Sequence, residues 1–335
     1  MRVLIVKTSS LGDLIHTFPA ITDAVSTGKE LEFHWLVEEA FQEVPAWHPA
    51  VSKTIPIALR RWRKQGLDAW RSGEPRKLRT ELKRSGYDLV IDAQGLLKSA
   101  LPARMAGVEV AGYDRSSIRE PLASFFYRHR YRVSRELHAI ERIRRLFALS
   151  LDYPFPETPV DYGLQLPSEG RDTSLVFLHA TTWPSKHWPE RYWIELAKLA
   201  GAAGFEVLWP WYSREEQARA RRLCDQGGGR LLERLDLTGL RDRLAGASGV
   251  VGVDTGLAHL AAAVGTPSVT LYGPTRTELT GAVGVGQKNL SVDYPCAPCM
   301  KKRCNRQGEV MPPCFASLPP GKVWRALQAQ MGGAS

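Results

Sequence analysis

The chain has 335 residues, of which 44% are hydrophobic and 24% charged, the composition of an ordinary globular protein with length for two buried cores. No run approaches about 18 apolar residues, and Met1-Arg2-Val3-Leu4-Ile5-Val6 leads straight into a strand, so neither a signal peptide nor a transmembrane helix is expected. The net charge of +10 is unevenly placed: ten Lys/Arg against three acids lie between Arg60 and Arg84, which points to an anionic partner.

Strand-like and helical runs alternate along the chain, the pattern of a doubly wound parallel α/β fold. In the first half, strands are expected at Arg2–Lys7, Glu32–Val37, Lys53–Ala58, Tyr87–Ala93 and Val108–Tyr113, with helices such as Leu96–Met105 and Leu137–Leu149 between them. Pro154, Pro156, Pro159 and Pro167 mark a stretch of little periodicity that reads as a linker. In the second half, strands are expected at Ser174–His179, Phe205–Pro210, Gly249–Val253 and Ser268–Tyr272, and helices at Pro189–Ala203, Arg214–Cys224, Leu240–Ala247 and Val323–Met331. The expected organisation is a first domain over 1–155, a linker over 156–172, a second domain over 173–320 and a C-terminal helix and tail over 321–335. Two similar halves imply a cleft, which the ends of Val3–Lys7 and Gly249–Val253 would face. No sequence-level repeat is visible.

The turn Val253-Asp254-Thr255-Gly256-Leu257-Ala258-His259 joins an apolar strand to a helical run. Unpartnered N–H groups and the helix dipole favour an anion there. The first strand ends in Lys7-Thr8-Ser9-Ser10-Leu11-Gly12-Asp13, small and hydroxyl-bearing residues that let a ligand approach the backbone. Asp13 reads first as a helix N-cap and next as a general base. Thr181, Thr182 and Lys186 follow the first strand of the second half and suit a diphosphate, with a polar loop and solvated lysine as the equal alternative. Glu216 stands where a carboxylate can accept from ribose hydroxyls, or is a helix-face acid.

Arg60-Arg61-Trp62-Arg63-Lys64 is the densest basic cluster. Arginine forks suit phosphates and carboxylates, and Arg119 can join them unless Glu120 partners it. A solvated charged face is the alternative. No nucleic-acid-reading module accompanies the charge. Cys296-x2-Cys299-x4-Cys304-x9-Cys314 has only one close pair, and zinc, structural thiols and a disulfide are all readings of that spacing. No Gly-x-Gly-x-x-Gly follows the first strand, which argues against a dinucleotide oxidoreductase. No Asp-x-Asp stands in a plausible loop, so an amine and hydroxyl clamp replaces a metal on any diphosphate.

Taken together, Val3–Ala20, Arg60–Lys64, Ile91–Ser99, Arg119–Ser124, His179–Thr182 with Lys186–Pro189, and Val253–Leu260 resemble the bacterial lipopolysaccharide heptosyltransferases of glycosyltransferase family 9, the heptosyltransferase I branch most closely. The resemblance spans the chain to about Pro274. It implies a GT-B fold, two Rossmann-like doubly wound parallel-sheet domains facing across a cleft. It implies inverting transfer of L-glycero-D-manno-heptose from ADP-heptose to Kdo of Kdo-lipid A, with no cofactor beyond the donor. The setting it implies is cytoplasmic, peripheral on the anionic inner-membrane surface. Carried over, it makes Asp13 the general base, and makes Thr181, Thr182, Lys186, Glu216, Asp254, Thr255, Gly256 and His259 the donor site. It makes Arg60, Arg61, Arg63, Lys64 and Arg119 the acceptor clamp. The four-cysteine tail departs from this branch's pattern, and a heptosyltransferase II-like enzyme with another core acceptor is the alternative. A non-catalytic nucleotide- or membrane-binding protein is the reading from a different class.

Overall fold

A computed structural model describes residues 1–166 and 170–333; Pro167 and the two residues after it in the expected linker, together with the last two residues of the expected tail, lie outside the described residues. The chain divides into two compact units, 1–165 and 166–335.

The first unit is built on six parallel strands, β1 (Arg2–Val6), β2 (Glu32–Glu38), β3 (Val51–Ile57), β4 (Leu89–Asp92), β5 (Val110–Tyr113) and β6 (His129–Tyr131). They lie in the order β3-β2-β1-β4-β5-β6. β1 sits at the centre, with Val3 opposite both Phe33 and Leu89. Central parallel strands are covered on both faces by helices, which is why Val3-Leu4-Ile5-Val6 is an unbroken apolar run and is wholly buried.

The second unit carries β7 (Ser174–Leu178), β8 (Glu206–Trp209), β9 (Arg230–Leu231), β10 (Gly249–Val253), β11 (Ser268–Tyr272) and β12 (Gln287–Ser291), all parallel, in the order β12-β11-β10-β7-β8-β9. Counted from its own first strand, this is the first unit's order again, and both are the Rossmann order. The core beneath this sheet is aromatic: Phe177, Trp188, Trp193 and Trp209 are fully buried. Trp188 and Trp193 meet edge to face at 5.0 Å, and truncating a side chain of that size in a core costs about 3–5 kcal/mol. Gly252 lets β10 pass under its helix, since a Cβ there would meet those of Leu178 and Ala258 at 3.2 and 3.3 Å.

Three strands were absent from the sequence expectation: β6, β9 and β12. They are edge or near-edge strands, short or largely polar, and lack the apolar run that marks a central strand. Two expected boundaries also shift. The Pro-rich stretch does not begin as a free linker at 156. Arg144, buried in an ion pair with Asp23 at 2.6 Å, donates to the carbonyls of Pro156 and Thr158, and Tyr162 is buried, so this segment packs onto the first unit. The helix Pro320–Gly332 is no appended tail either: Val323, Trp324 and Leu327 belong to the core of the second unit.

Candidate active site

In a doubly wound sheet, ligands collect at the carboxyl ends of the two strands from which the order runs outward in opposite directions. Those strands are β1 and β4 in the first unit, and β7 and β10 in the second. Each expected catalytic or donor residue except Glu216 follows one of them; Glu216 follows β8.

In the first unit the end of β4 braces the end of β1. Asp92, fully buried, accepts from the Gln94 and Gly95 amides at 2.9 and 3.1 Å and from the Ser99 and Tyr127 hydroxyls at 2.9 and 2.7 Å. Gly95 has φ +70, which an L side chain rarely adopts. Burial pushes the Asp92 carboxyl up despite these donors. The turn so formed presents Gln94 Oε1 to the Thr8 and Ser9 amides at 2.9 and 3.2 Å. Lys7 donates to the Ala93 carbonyl at 2.9 Å, and Lys98 donates to the Ser9 hydroxyl at 3.0 Å.

Asp13 stands on this platform in the helix Leu11–Ile15. It is not the N-cap that the sequence left open; Ser10 is. Asp13 is the third helical residue, and its Oδ2 accepts from the Ser10 amide at 2.8 Å and the Ser10 hydroxyl at 2.9 Å, one half of a capping box. Its Oδ1 faces Lys7 Nζ at 3.8 Å, and its side chain is 44% exposed. Lys7 itself is buried, which pushes its ammonium down, with Asp13 and Asp92 acting the other way.

The basic cluster forms the helix Leu59–Gln65 after β3. Arg61 is engaged by Glu39 at 3.1 Å and Glu74 at 3.0 Å, and these contacts raise its already high pKa. Trp62 Nε1 also donates to Glu74, at 2.8 Å, and the Arg60 guanidinium lies 5.5 Å from the Phe41 ring centre. Among the described residues Arg63, Lys64 and Arg119 have no acidic partner. Glu120 does not pair with Arg119 but accepts from the Leu97 amide at 2.8 Å.

In the second unit Asp254 follows β10 directly and is buried. Its Oδ2 receives Lys186 Nζ at 2.7 Å and the Thr275 hydroxyl at 2.5 Å, and its Oδ1 lies 3.8 Å from His259 Nε2. The Thr181 hydroxyl donates to the Asp254 carbonyl at 3.3 Å. Burial alone would raise the Asp254 carboxyl, but His259, Lys186 and Thr275 hold it down at about 2. Lys186 also lies 4.8 Å from the Trp183 ring centre, and the fully buried Trp188 two residues later anchors its loop. Thr182 is exposed. Thr255 is the N-cap of the helix Gly256–Ala263 but supplies no side-chain cap, so the leading amides keep their capacity for an anion.

Glu216 lies apart from this group. It is the third residue of the helix Arg214–Gly227, in a capping box with Ser213: its Oε2 accepts from the Tyr212 and Ser213 amides at 2.8 and 3.3 Å. His179 is fully buried with Nε2 3.1 Å from the Pro210 carbonyl, and burial pushes it down to about 3, so it is a neutral core residue. Sequence reasoning missed Thr275 and Trp183. Thr275 acts through a contact 21 residues away that no local spacing encodes, whereas Trp183 stands three residues before the Lys186 it faces.

The family model for glycosyltransferase family 9 (heptosyltransferase) matches residues 75–309. The chain belongs to glycosyltransferase family 9. It is 51% identical to lipopolysaccharide heptosyltransferase 1 of Pseudomonas aeruginosa, over 99% of this chain and 98% of that one. It is 46% identical to lipopolysaccharide heptosyltransferase 1 of Escherichia coli K12, over 86% of this chain and 92% of that one. The solved E. coli heptosyltransferase WaaC with ADP is 41% identical, with a TM-score of 0.87 covering 98% of this chain and 100% of that chain. With its two Rossmann-like parallel-sheet units, this family 9 member has the GT-B fold.

The Asp254 contacts have a defined pH signature. Its folded pKa of about 2 lies below the ordinary 3.8, so the unfolded chain binds the proton first. The stabilisation is complete above about pH 4 and is lost as pH falls through about 2, a change of about 2 kcal/mol. In urea unfolding, the stability gap between the native chain and Asp254→Asn should be constant from about pH 5 to 8 and narrow below about pH 4. A gap that does not change on acidification would show that the pairing does not hold this carboxyl down.

Proposed function

We propose that the protein transfers L-glycero-D-manno-heptose from ADP-heptose to Kdo of Kdo-lipid A, with inversion, in synthesis of the lipopolysaccharide inner core. The identity to heptosyltransferase 1 over nearly the whole chain supports the reaction, as do the E. coli heptosyltransferase structures with ADP and with ADP-2-deoxy-2-fluoro heptose. One observation carries the chemistry: on a side chain that is 44% exposed, Asp13 uses one carboxylate oxygen to hold Ser10 and turns the other toward Lys7.

In this reading Asp13 Oδ1 takes the proton from the acceptor hydroxyl as that oxygen attacks the anomeric carbon. The bond to the ADP oxygen breaks, and negative charge develops on the diphosphate. Lys186, the Thr182 hydroxyl, the Thr181 hydroxyl once turned from the Asp254 carbonyl, and the amides of Gly256 and Leu257 stabilise that charge. Lys186 gives one N–H to Asp254 and has two more to offer. Asp254 is then a holder of the lysine and not a base, and His259 steadies it. Glu216 Oε1 serves the ribose hydroxyls, its other oxygen being engaged by the helix start. The second unit is thus the donor-binding domain and the first the acceptor-binding domain.

Arg60, Arg63, Lys64 and Arg119 serve as the acceptor clamp for phosphate and carboxylate groups, while Arg61 chiefly ties its helix to Glu39 and Glu74. The acceptor is an amphiphile, and we extend the proposal to peripheral binding at the anionic cytoplasmic face of the inner membrane. Leu67 and Trp70 support this, being 74% and 58% exposed on the short helix that follows Lys64. Among the described residues no helix is long and apolar enough to cross a membrane.

With ADP-heptose and Kdo-lipid A, the protein should release ADP and yield an acceptor heavier by one heptose. Asp13→Asn should lower kcat by at least about 100-fold; near-native turnover would remove Asp13 as the base. In the same assay Arg63→Glu with Lys64→Glu should raise the acceptor KM and spare the donor KM. Equal changes in both would mark a general loss of structure. Co-sedimentation with anionic vesicles should fall in Leu67→Ser/Trp70→Ser; unchanged sedimentation would place membrane contact elsewhere.

A further inference from the structure

Four of the five cysteines fall from Cys296 to Cys314: three lie in a long stretch without helix or strand after β12, and Cys314 lies in the short 3-10 helix Pro313–Ser317 that ends it. Stretches of this length inside a compact unit need something else to hold them. All four thiols are free and partly buried, and all four line one small cavity of about 20 Å³ with Ser185 and Pro274. That is room for about one water-sized guest.

The stretch is also tied to the loops that hold Asp254. The Ser185 amide donates to the Lys302 carbonyl at 3.2 Å, and the Ser185 hydroxyl donates to the Lys301 carbonyl at 2.6 Å. The Met300 amide donates to the Pro274 carbonyl at 2.8 Å. Ser185 precedes Lys186 and Pro274 precedes Thr275, the two residues whose side chains meet Asp254 Oδ2.

We propose that Cys296, Cys299, Cys304 and Cys314 bind one zinc ion as a tetrathiolate, and that this knuckle braces the Lys186 and Thr275 loops from behind. Four soft ligands around a small cavity suit a tetrahedral, thiolate-preferring divalent cation. Among the described residues no three metal-capable side chains are grouped so as to hold an ion; on this proposal zinc binding would have to draw the sulfurs together, as metal binding coupled to local folding does. Four thiols release four protons on binding Zn²⁺ and leave a centre of net charge −2, with no change of oxidation state. Lys301, Lys302 and Arg303, between the second and third cysteines, offset that charge.

The test uses the full chain expressed with added zinc. Metal analysis should find about one zinc per chain, and exchange with Co²⁺ should give the intense thiolate-to-cobalt charge-transfer bands of a tetrahedral sulfur site. Cys296→Ser/Cys299→Ser should lose both. Should that variant fail to fold, the native chain's metal content and cobalt spectrum still decide. Iron at the same stoichiometry would support the site and overturn the choice of zinc. A folded native chain with neither metal nor charge-transfer bands, or with the four cysteines in disulfides, would overturn the proposal. The bracing role rests on the donor reading above and has its own measurement: removing the ion should weaken ADP binding several-fold. A metal-bearing chain whose ADP affinity ignores the ion would refute the bracing and leave the metal site standing.

Discussion

A carboxylate buried at the end of a parallel strand has to be neutralised where it stands, and in the second unit Lys186 meets that constraint for Asp254. Removing one member of such a buried pair typically costs about 3–5 kcal/mol, because the other is left charged and dry. The pair therefore ties the loop after β7 to the turn after β10, and Thr275 brings in the loop after β11. With three loops fixed on one carboxylate, the ammonium and the leading amides of Gly256–Ala263 are arranged before any ligand arrives. Pre-arranged donors of this kind need no reorganisation when charge develops on a leaving diphosphate.

A second device recurs in both units. Asp13 and Glu216 are each the third residue of a helix whose N-cap is a serine, and each gives one oxygen to the backbone at the helix start. The box fixes the side chain's direction and leaves the second oxygen for other chemistry. Ser10 and not Asp13 is the N-cap, and the capping-box contact of Asp13 does not compete with the base role proposed for it: the two use different atoms of one carboxylate. Lys7 adds a buried cation beside the free oxygen, and the Asp92–Gln94 turn holds the loop that carries both.

The centre of each sheet was legible because central parallel strands are apolar on both faces. The edges were not: Gln287–Ser291 reads as a polar loop and is a strand only because Ser268–Tyr272 lies beside it. The same topology appears twice without a visible sequence repeat, since the fold asks for apolar runs at intervals and not for particular residues. At the site, Ser10-x-x-Asp13 and Ser213-x-x-Glu216 are local patterns and could be read. The basic cluster was legible as charge, but Arg61's engagement by Glu39 and Glu74 depends on residues before and after its helix. The Pro-rich stretch looked like a linker because proline hides periodicity, while Tyr162 and the Arg144 contacts bind its first part to the first unit.

The division of labour between the units is the central claim, with the diphosphate bound by the second and the proton handled by the first. Calorimetric titration of ADP into matched variants tests it most directly. Lys186→Met should weaken ADP binding by about tenfold or more, the loss of a charged hydrogen bond worth about 1.5–3 kcal/mol, while Asp13→Asn should bind ADP as the native chain does. An Asp13→Asn protein that loses ADP affinity as severely as Lys186→Met, with both still folded, would contradict it.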